Sequence, residues 1–230
     1  MSNCFVCHAK TSQADTWKTL LFNREEEKLC KACKETLQQI KGERCEICSR
    51  SLKDDFRKDR LCLDCVRWEG NKDWNGVLSN NWSIFQYDET LKELIAKFKY
   101  RGDYALAEVF KPYLKECLAA AEYDLLTAIP LSKERLGERG FNQAEALIHV
   151  LGLKSETLLI RNHTEKQSKK SRKERIAQTN VFQLNRTEEI IGQTILIIDD
   201  VYTTGSTLRQ AAKVLKDAGA EKVISVTLAR

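Results

Sequence analysis

No apolar run in these 230 residues approaches the ~18–20 positions needed to cross a bilayer. The opening segment, Met1-Ser2-Asn3-Cys4-Phe5-Val6-Cys7, lacks the basic and apolar regions of a signal peptide. No membrane insertion is expected. The expected location is the cytoplasm, with the inner face of the membrane reached only through a partner. No G-x-G-x-x-G and no Gly-Lys-Ser/Thr occurs, which excludes a Rossmann fingerprint and a Walker loop. Only two prolines are present, Pro112 and Pro130, and there is no low-complexity segment. The three histidines, His8, His149 and His163, form no paired pattern, although His8 directly follows Cys7 and could substitute for a cysteine ligand. Hydrophobic residues at 42% and charged residues at 31% describe an ordinary globular chain.

Charge of one sign is scarce everywhere except in one place. From Arg161 to Arg175 there are seven basic and two acidic residues, which equals the whole net charge of +5. Lys166, Lys169, Lys170, Arg172, Lys173 and Arg175 make this a local basic patch. Three readings fit it: a mobile lid over phosphates, a solvated loop, or a surface holding single-stranded DNA by its backbone without sequence preference.

Cysteine is abundant. Eight of nine fall in four C-x-x-C pairs: Cys4/Cys7, Cys30/Cys33, Cys45/Cys48 and Cys62/Cys65. Each pair can present two thiolates to one tetrahedral Zn²⁺ from a tight turn, and two pairs complete a closed structural site. The simplest grouping is tandem, giving two structural zinc ions, and an interleaved grouping also fits the spacing. Zinc ribbons sometimes touch nucleic acid, but a four-thiolate site leaves no position open for catalysis.

Composition divides the chain in three. Residues 1–70, rich in cysteine and charge, cannot bury enough apolar surface to fold without a staple. Residues 71–123 form a connecting region: a strand over 82–87, a helix capped by Asp88 with Leu91, Leu94, Ile95 and Phe98 at helical spacing, and a second helix that Pro112 should break or kink. Residues 124–230 alternate strand and helix. The run Thr194-Ile195-Leu196-Ile197-Ile198 is apolar on both faces and suits a central parallel strand. The fold class is therefore α/β, a parallel sheet flanked by helices and preceded by a small cysteine-rich module.

The most informative stretch follows that strand. Asp199 and Asp200 end it, then Val201-Tyr202-Thr203-Thr204-Gly205-Ser206-Thr207 turns directly into a helix. Free amides in the turn and the positive end of the helix dipole make an anion site, and the hydroxyls add donors. Two carboxylates beside a phosphate cradle call for vicinal hydroxyls or a hydroxyl-bound Mg²⁺. A 5′-phosphate and the 2′- and 3′-hydroxyls of one ribose match that layout.

This stretch resembles the phosphoribosyl pyrophosphate (PRPP) signature of type I phosphoribosyltransferases. The resemblance implies their parallel sheet, with a hood and a flexible loop over the site. It implies that Asp199 and Asp200 hold the ribose hydroxyls, that Thr203, Thr204, Gly205, Ser206 and Thr207 hold the 5′-phosphate, and that PRPP arrives with Mg²⁺. Leu131 and Ser132 would belong to a pyrophosphate loop, with Arg135 and Arg139 facing the leaving group, so that Asp199, Asp200 and Arg139 form the catalytic set. Purine-salvage members carry an aspartate base where this chain has Thr203, and that departure puts purine salvage in doubt.

The motifs I-P-L-S at 129–132, R-G-F-N-Q at 139–143, K-Q-S at 166–168 and D-D-x-x-T-T-G at 199–205, with the cysteine pairs before them, resemble the ComF family of late-competence proteins over essentially the whole chain. Two full cysteine sites match its Gram-positive form. The resemblance implies a role in natural transformation, handling single-stranded DNA beside a ComFA-like helicase ATPase. Two other readings stand next to it: a phosphoribosyltransferase of nucleotide metabolism, and a PRPP-responsive regulator.

Overall fold

The computed structural model describes residues 3–11, 28–52, 56–100, 103–162, 181–185 and 190–230. The first elements are small. Helix α1 (Lys31–Thr36), the antiparallel strands β1 (Arg57–Lys58) and β2 (Leu61–Cys62), and helix α2 (Leu63–Glu69) are arranged around cysteines. Strand β3 (Asn80–Phe85) follows. Next come helix α3 (Glu89–Tyr100), a 3₁₀ turn (Tyr104–Leu106), helix α4 (Ala107–Leu118), strand β4 (Leu125–Ala128), and helices α5 (Lys133–Arg139) and α6 (Gln143–Val150). Strands β5 (Leu159–Arg161) and β6 (Phe182–Leu184) pair antiparallel. Strand β7 (Thr194–Val201), helix α7 (Ser206–Asp217) and strand β8 (Lys222–Ala229) complete the order.

Four strands make one wholly parallel sheet in the order β3-β8-β7-β4. The period of two explains its two covered faces. On β7, Leu196 and Ile198 join Leu94, Phe98, Phe110, Leu114 and Leu147 from α3, α4 and α6. Ile195 and Ile197 join Leu208, Ala211 and Leu215 of α7 on the other side, together with Cys45, Cys48, Cys62 and Cys65. The central strand read from the sequence is thus buried as expected. The outer edge of β3 is closed by the segment between the two cysteine groups: Ile40 donates to the Ile84 carbonyl at 2.9 Å and Gln86 to that of Gln38 at 2.8 Å. A sheet edge left open would invite pairing with other chains.

Asp88 accepts from the Leu91 amide at 2.8 Å and caps α3 as its position suggests. Pro112 does not break its helix: α4 runs unbroken from Ala107 to Leu118. The proline sits on the exposed side, so the carbonyl it leaves without a donor faces solvent, while Val109, Phe110 and Leu114 anchor the buried face.

A polar network lies where the second cysteine group meets the sheet. Asn81, Ser83, Ser225 and Thr227 are buried, with Ser83 and Thr227 hydroxyls 2.7 Å apart and Ser225 donating to Asn81 Oδ1 at 2.9 Å. Ser49, from the cysteine knuckle, donates to the Asn81 carbonyl at 2.7 Å. These buried polar groups are hydrogen-bonded to one another, so they fix the position of the knuckle at little cost.

Candidate functional site

The carboxyl ends of β7 and β4 lie side by side, and the loops leaving them form the site. Asp199 Oδ1 accepts from the Asp200 amide at 2.9 Å. Asp200 Oδ2 meets Lys99 Nζ, at the end of α3, at 2.8 Å. Burial pushes the Asp199 carboxyl up to about 7, and the Asp200 charge adds to the rise; the Asp200 amide, Lys99 and Arg161 pull against it.

The next residues turn sharply. Tyr202 N–H donates to the Ala229 carbonyl at 2.9 Å, and the Tyr202 ring then lies under Gly205. Gly205 has φ +81°, and a Cβ there would fall 2.1 Å from the Tyr202 hydroxyl, so both backbone sign and space require glycine. The amides of Thr203, Thr204 and Gly205 have no hydrogen-bond partner among the described residues. The Thr203 and Thr204 side chains are exposed, and Ser206 opens the twelve-residue helix α7. Unpaired amides followed by a helix N-terminus make an anion cradle.

Beside it, β4 ends at the Pro130–Ser132 turn. The Ser132 hydroxyl accepts from the Arg135 amide at 3.3 Å and caps α5. Arg139 is buried: its Nη1 donates to Gln143 Oε1 at 2.8 Å, its guanidinium lies 5.5 Å from the Tyr100 ring centre, and its Nε has no partner among the described residues. Arg161 stacks 5.4 Å from the Phe182 ring centre. Burial lowers the Arg161 pKa, and the nearby charges of Arg135 and Arg139 lower it further while Asp199 opposes them. Arg161 thus lies within electrostatic reach of both Asp199 and the guanidiniums of Arg135 and Arg139, an environment that suits a second, more highly charged anion.

The cysteines fall into two tandem groups, Cys4, Cys7, Cys30 and Cys33, then Cys45, Cys48, Cys62 and Cys65, with each group's sulfurs within 4.8 Å of one another. This resolves the grouping in favour of tandem over interleaved. Cys7 and Cys30 sulfurs are 3.6 Å apart, and Cys48 and Cys62 sulfurs 3.5 Å. A disulfide would need about 2.05 Å, whereas a tetrahedron with metal–sulfur bonds of ~2.3 Å has edges of about 3.8 Å. The donor set fits a soft, tetrahedral metal ion. His8 and Ser49 occupy the same place in the two knuckles, each with φ near +60°, and each donates to the carbonyl of the first cysteine at 2.9 Å. His8 is therefore a turn residue, and the four sulfurs of its group complete the site without it. Hydrogen bonding to Cys45 and Cys62 pushes the Cys48 thiol up, while the Arg230 charge pulls the other way.

The phosphoribosyl transferase domain family matches residues 137–230. Competence protein ComFC of Bacillus subtilis is 37% identical, over 99% of this chain and 94% of that one. The chain belongs to the ComFC family. Competence protein ComFC of Streptococcus pneumoniae is 32% identical over 99% of both chains. Among solved structures, the allosteric regulatory enzyme of purine biosynthesis shares 22% identity at a TM-score of 0.38, over 53% of this chain and about a quarter (24%) of that one, too slight a likeness to weigh. Strands β7 and β8 and the helix between them fall within the stretch that the phosphoribosyl transferase domain family matches.

Of the residues singled out in the sequence, Asp199, Asp200 and the turn from Thr203 to Thr207 lie together, with Leu131 and Ser132 at the end of the neighbouring strand. Arg139 lies close by, held by Gln143. Lys166, Lys169, Lys170, Arg172, Lys173 and Arg175 lie outside the described residues. Sequence reasoning missed Lys99, Arg161, Trp68 and Arg230. Nothing distinguishes Lys99 from Lys97 until the sheet is assembled. Arg209 offered a signal: it sits between Leu208 and Ala212 on the apolar face of α7, where a charge demands a partner.

Proposed function

We propose that this chain is a competence protein for natural transformation that handles single-stranded DNA at the cytoplasmic face of the membrane, and that its sheet domain binds PRPP with Mg²⁺. The observation that carries the PRPP assignment is the pairing of Asp199 and Asp200 with three unpartnered amides at the start of α7. The amides of Thr203, Thr204 and Gly205, with the hydroxyls of Ser206 and Thr207, hold the 5′-phosphate. Asp199 and Asp200 accept from the ribose hydroxyls, with Lys99 giving way or sharing Asp200. Arg135, Arg139 and Arg161, with the Leu131–Ser132 turn, face the pyrophosphate. Bound Mg²⁺ would supply charge neutralisation to that group.

The transformation role rests on likeness to two ComFC proteins over nearly the whole chain. In it, Lys166, Lys169, Lys170, Arg172, Lys173 and Arg175 hold the DNA backbone, a ComFA-like helicase ATPase is the partner, and the two cysteine groups carry structural Zn²⁺. No helix among the described residues is long and apolar enough to cross a membrane, so attachment would come through the partner.

A second reading, true phosphoribosyl transfer, is favoured by the three guanidiniums, which could stabilise departing pyrophosphate. The test is pyrophosphate release from PRPP–Mg²⁺, alone and with nucleobases or a single-stranded oligonucleotide, for the parent and Asp200→Asn. Binding that Asp200→Asn removes supports the site. Acceptor-dependent release would make the chain an enzyme. Equal binding by parent and variant would overturn the assignment.

A further inference from the structure

The phosphate loop faces two ways, and its inner side is occupied. Arg230 Nη1 donates to the carbonyls of Thr203 at 2.8 Å and Tyr202 at 3.3 Å. Trp68 Nε1 donates to the Thr204 carbonyl at 3.0 Å. Three successive carbonyls are therefore drawn to one side. In a trans peptide the C=O of one residue and the N–H of the next point in opposite directions. Pinning the carbonyls of 202, 203 and 204 inward turns the amides of Thr203, Thr204 and Gly205 outward. Those are the three amides with no partner among the described residues.

Both donors belong to the second cysteine group's surroundings. Trp68 lies on α2, one turn after Cys65. Its ring stacks on Arg209 at 5.2 Å and meets Trp74 edge-on, also at 5.2 Å between centres. Arg209 has no exposed surface and is tied to Glu69 of α2 at 2.8 Å. Arg230 lies 4.6 Å from the centre of the Tyr202 ring, with Nη2 4.0 Å from Asp64, which sits between Cys62 and Cys65. Tyr202 is itself buried among Cys45, Cys48, Cys62 and Cys65. A divalent ion with four thiolates carries a net charge of −2, and such a centre favours a buried guanidinium beside it.

We infer that the second cysteine module is a working part of the phosphate site, with Trp68 and Arg230 as positioning residues that hold the loop's carbonyls inward so that its amides face the anion. The first module packs on the opposite face of the sheet and makes no such contact among the described residues. Staple and phosphate cradle are one unit here, so a ligand on the loop and an ion in the second module stabilise each other. The assignment of PRPP as that ligand rests on the function proposed above; the geometry of the loop does not.

The test uses the full metal-loaded chain and the variants Trp68→Phe, Arg230→Met and Asp200→Asn. Phenylalanine keeps an aromatic ring against Arg209 and removes the N–H together with the smaller ring of the indole. Two quantities are read: hydrogen exchange along the chain, and PRPP–Mg²⁺ affinity by calorimetry. Expected for Trp68→Phe are faster exchange confined to the peptide covering 202–210, whose bonded amides include Tyr202, Ser206 and Arg209, roughly fivefold weaker affinity, and unchanged metal content. Arg230→Met, which frees two carbonyls, should show the larger effect on both. Unchanged exchange of the bonded amides in 202–210 in both variants, or a rise spread evenly over the chain, overturns the inference even if PRPP binds. If the parent fails to bind PRPP, the ligand assignment falls, and the exchange of the bonded amides in 202–210 decides the coupling by itself.

Discussion

Asp199→Asn should stabilise the protein and weaken its ligand binding, and pH should control how much. The Asp199 carboxyl is pushed from 3.8 up to about 7 by burial, with the Asp200 charge second. The folded protein thus holds a proton there more tightly than the unfolded chain. For an acid whose folded value is raised, stability is full at pH below about 4 and is lost as pH rises towards 7. A shift of about 3 units corresponds to about 4 kcal/mol at ~1.4 kcal/mol per unit. Relaxation around a coupled pair lowers this, so about 2–4 kcal/mol is expected at pH 8. Asparagine has the shape of the protonated acid and carries no such penalty. The assay is denaturant unfolding of parent and variant at pH 5, 6, 7 and 8. The variant should lead by about 1–1.5 kcal/mol at pH 5, where the unfolded carboxyl is already largely ionised, and by about 2–4 kcal/mol at pH 8, a rise of roughly 5–10 °C in Tm for a chain of this size. PRPP affinity should fall, because an amide cannot accept as a carboxylate does. A lead that stays constant from pH 5 to 8, or a variant less stable at pH 8, would refute the reasoning. Functional sites hold like charges together against their own stability, and the lead at pH 8 measures that cost here.

Gly205→Ala should cost at least about 2 kcal/mol, because φ is +81° and the new Cβ would meet the Tyr202 ring; thermal unfolding checks the loss, and PRPP binding should go with it. Lys99→Met removes the cation at 2.8 Å from Asp200, so the Asp199 carboxyl should rise further and the pH midpoint of PRPP binding move upward, read by calorimetry across pH 6–9; an unmoved midpoint would count against an electrostatic role. Neutralising Lys169, Lys170 and Lys173 together should weaken binding of single-stranded DNA and reduce the slope of log affinity against log salt by about 2; equal binding by the triple variant would remove the patch from the DNA surface. Cys33→Ser should leave exchange of the bonded amides in 202–210 unchanged, whereas Cys62→Ser should raise it, because among the described residues the second module reaches the loop and the first does not.

What could be read in the sequence was what is local along the chain. The run Ile195–Ile198, apolar at every position, announced a strand covered on both faces, and the alternation of its partners between α6 and α7 bears that out. Asp88 marked a helix end because a cap is a matter of one residue and its neighbours. C-x-x-C spacing announced two knuckles but could not group them, since grouping depends on which turns meet in space. Pro112 did not break its helix, because whether it does depends on which side of the helix it faces. The site shows the same division. The carboxylates and hydroxyls of 199–207 are contiguous and could be found. Lys99, Arg161 and the pair Trp68 and Arg230 come from residues up to 136 positions away, and no periodicity connects an indole after a cysteine knuckle to a carbonyl in the turn after β7. That contact also gives the cysteine group a reason to sit where it does. A staple for a small module could be attached anywhere. This one is packed under the loop through Tyr202, on a face whose buried polar residues, Asn81, Ser83, Ser225 and Thr227, bond to one another and, through the Asn81 carbonyl, to the knuckle. Separating the two halves would expose that network as well as the loop's inner carbonyls, so the metal module and the phosphate site should open as one cooperative unit.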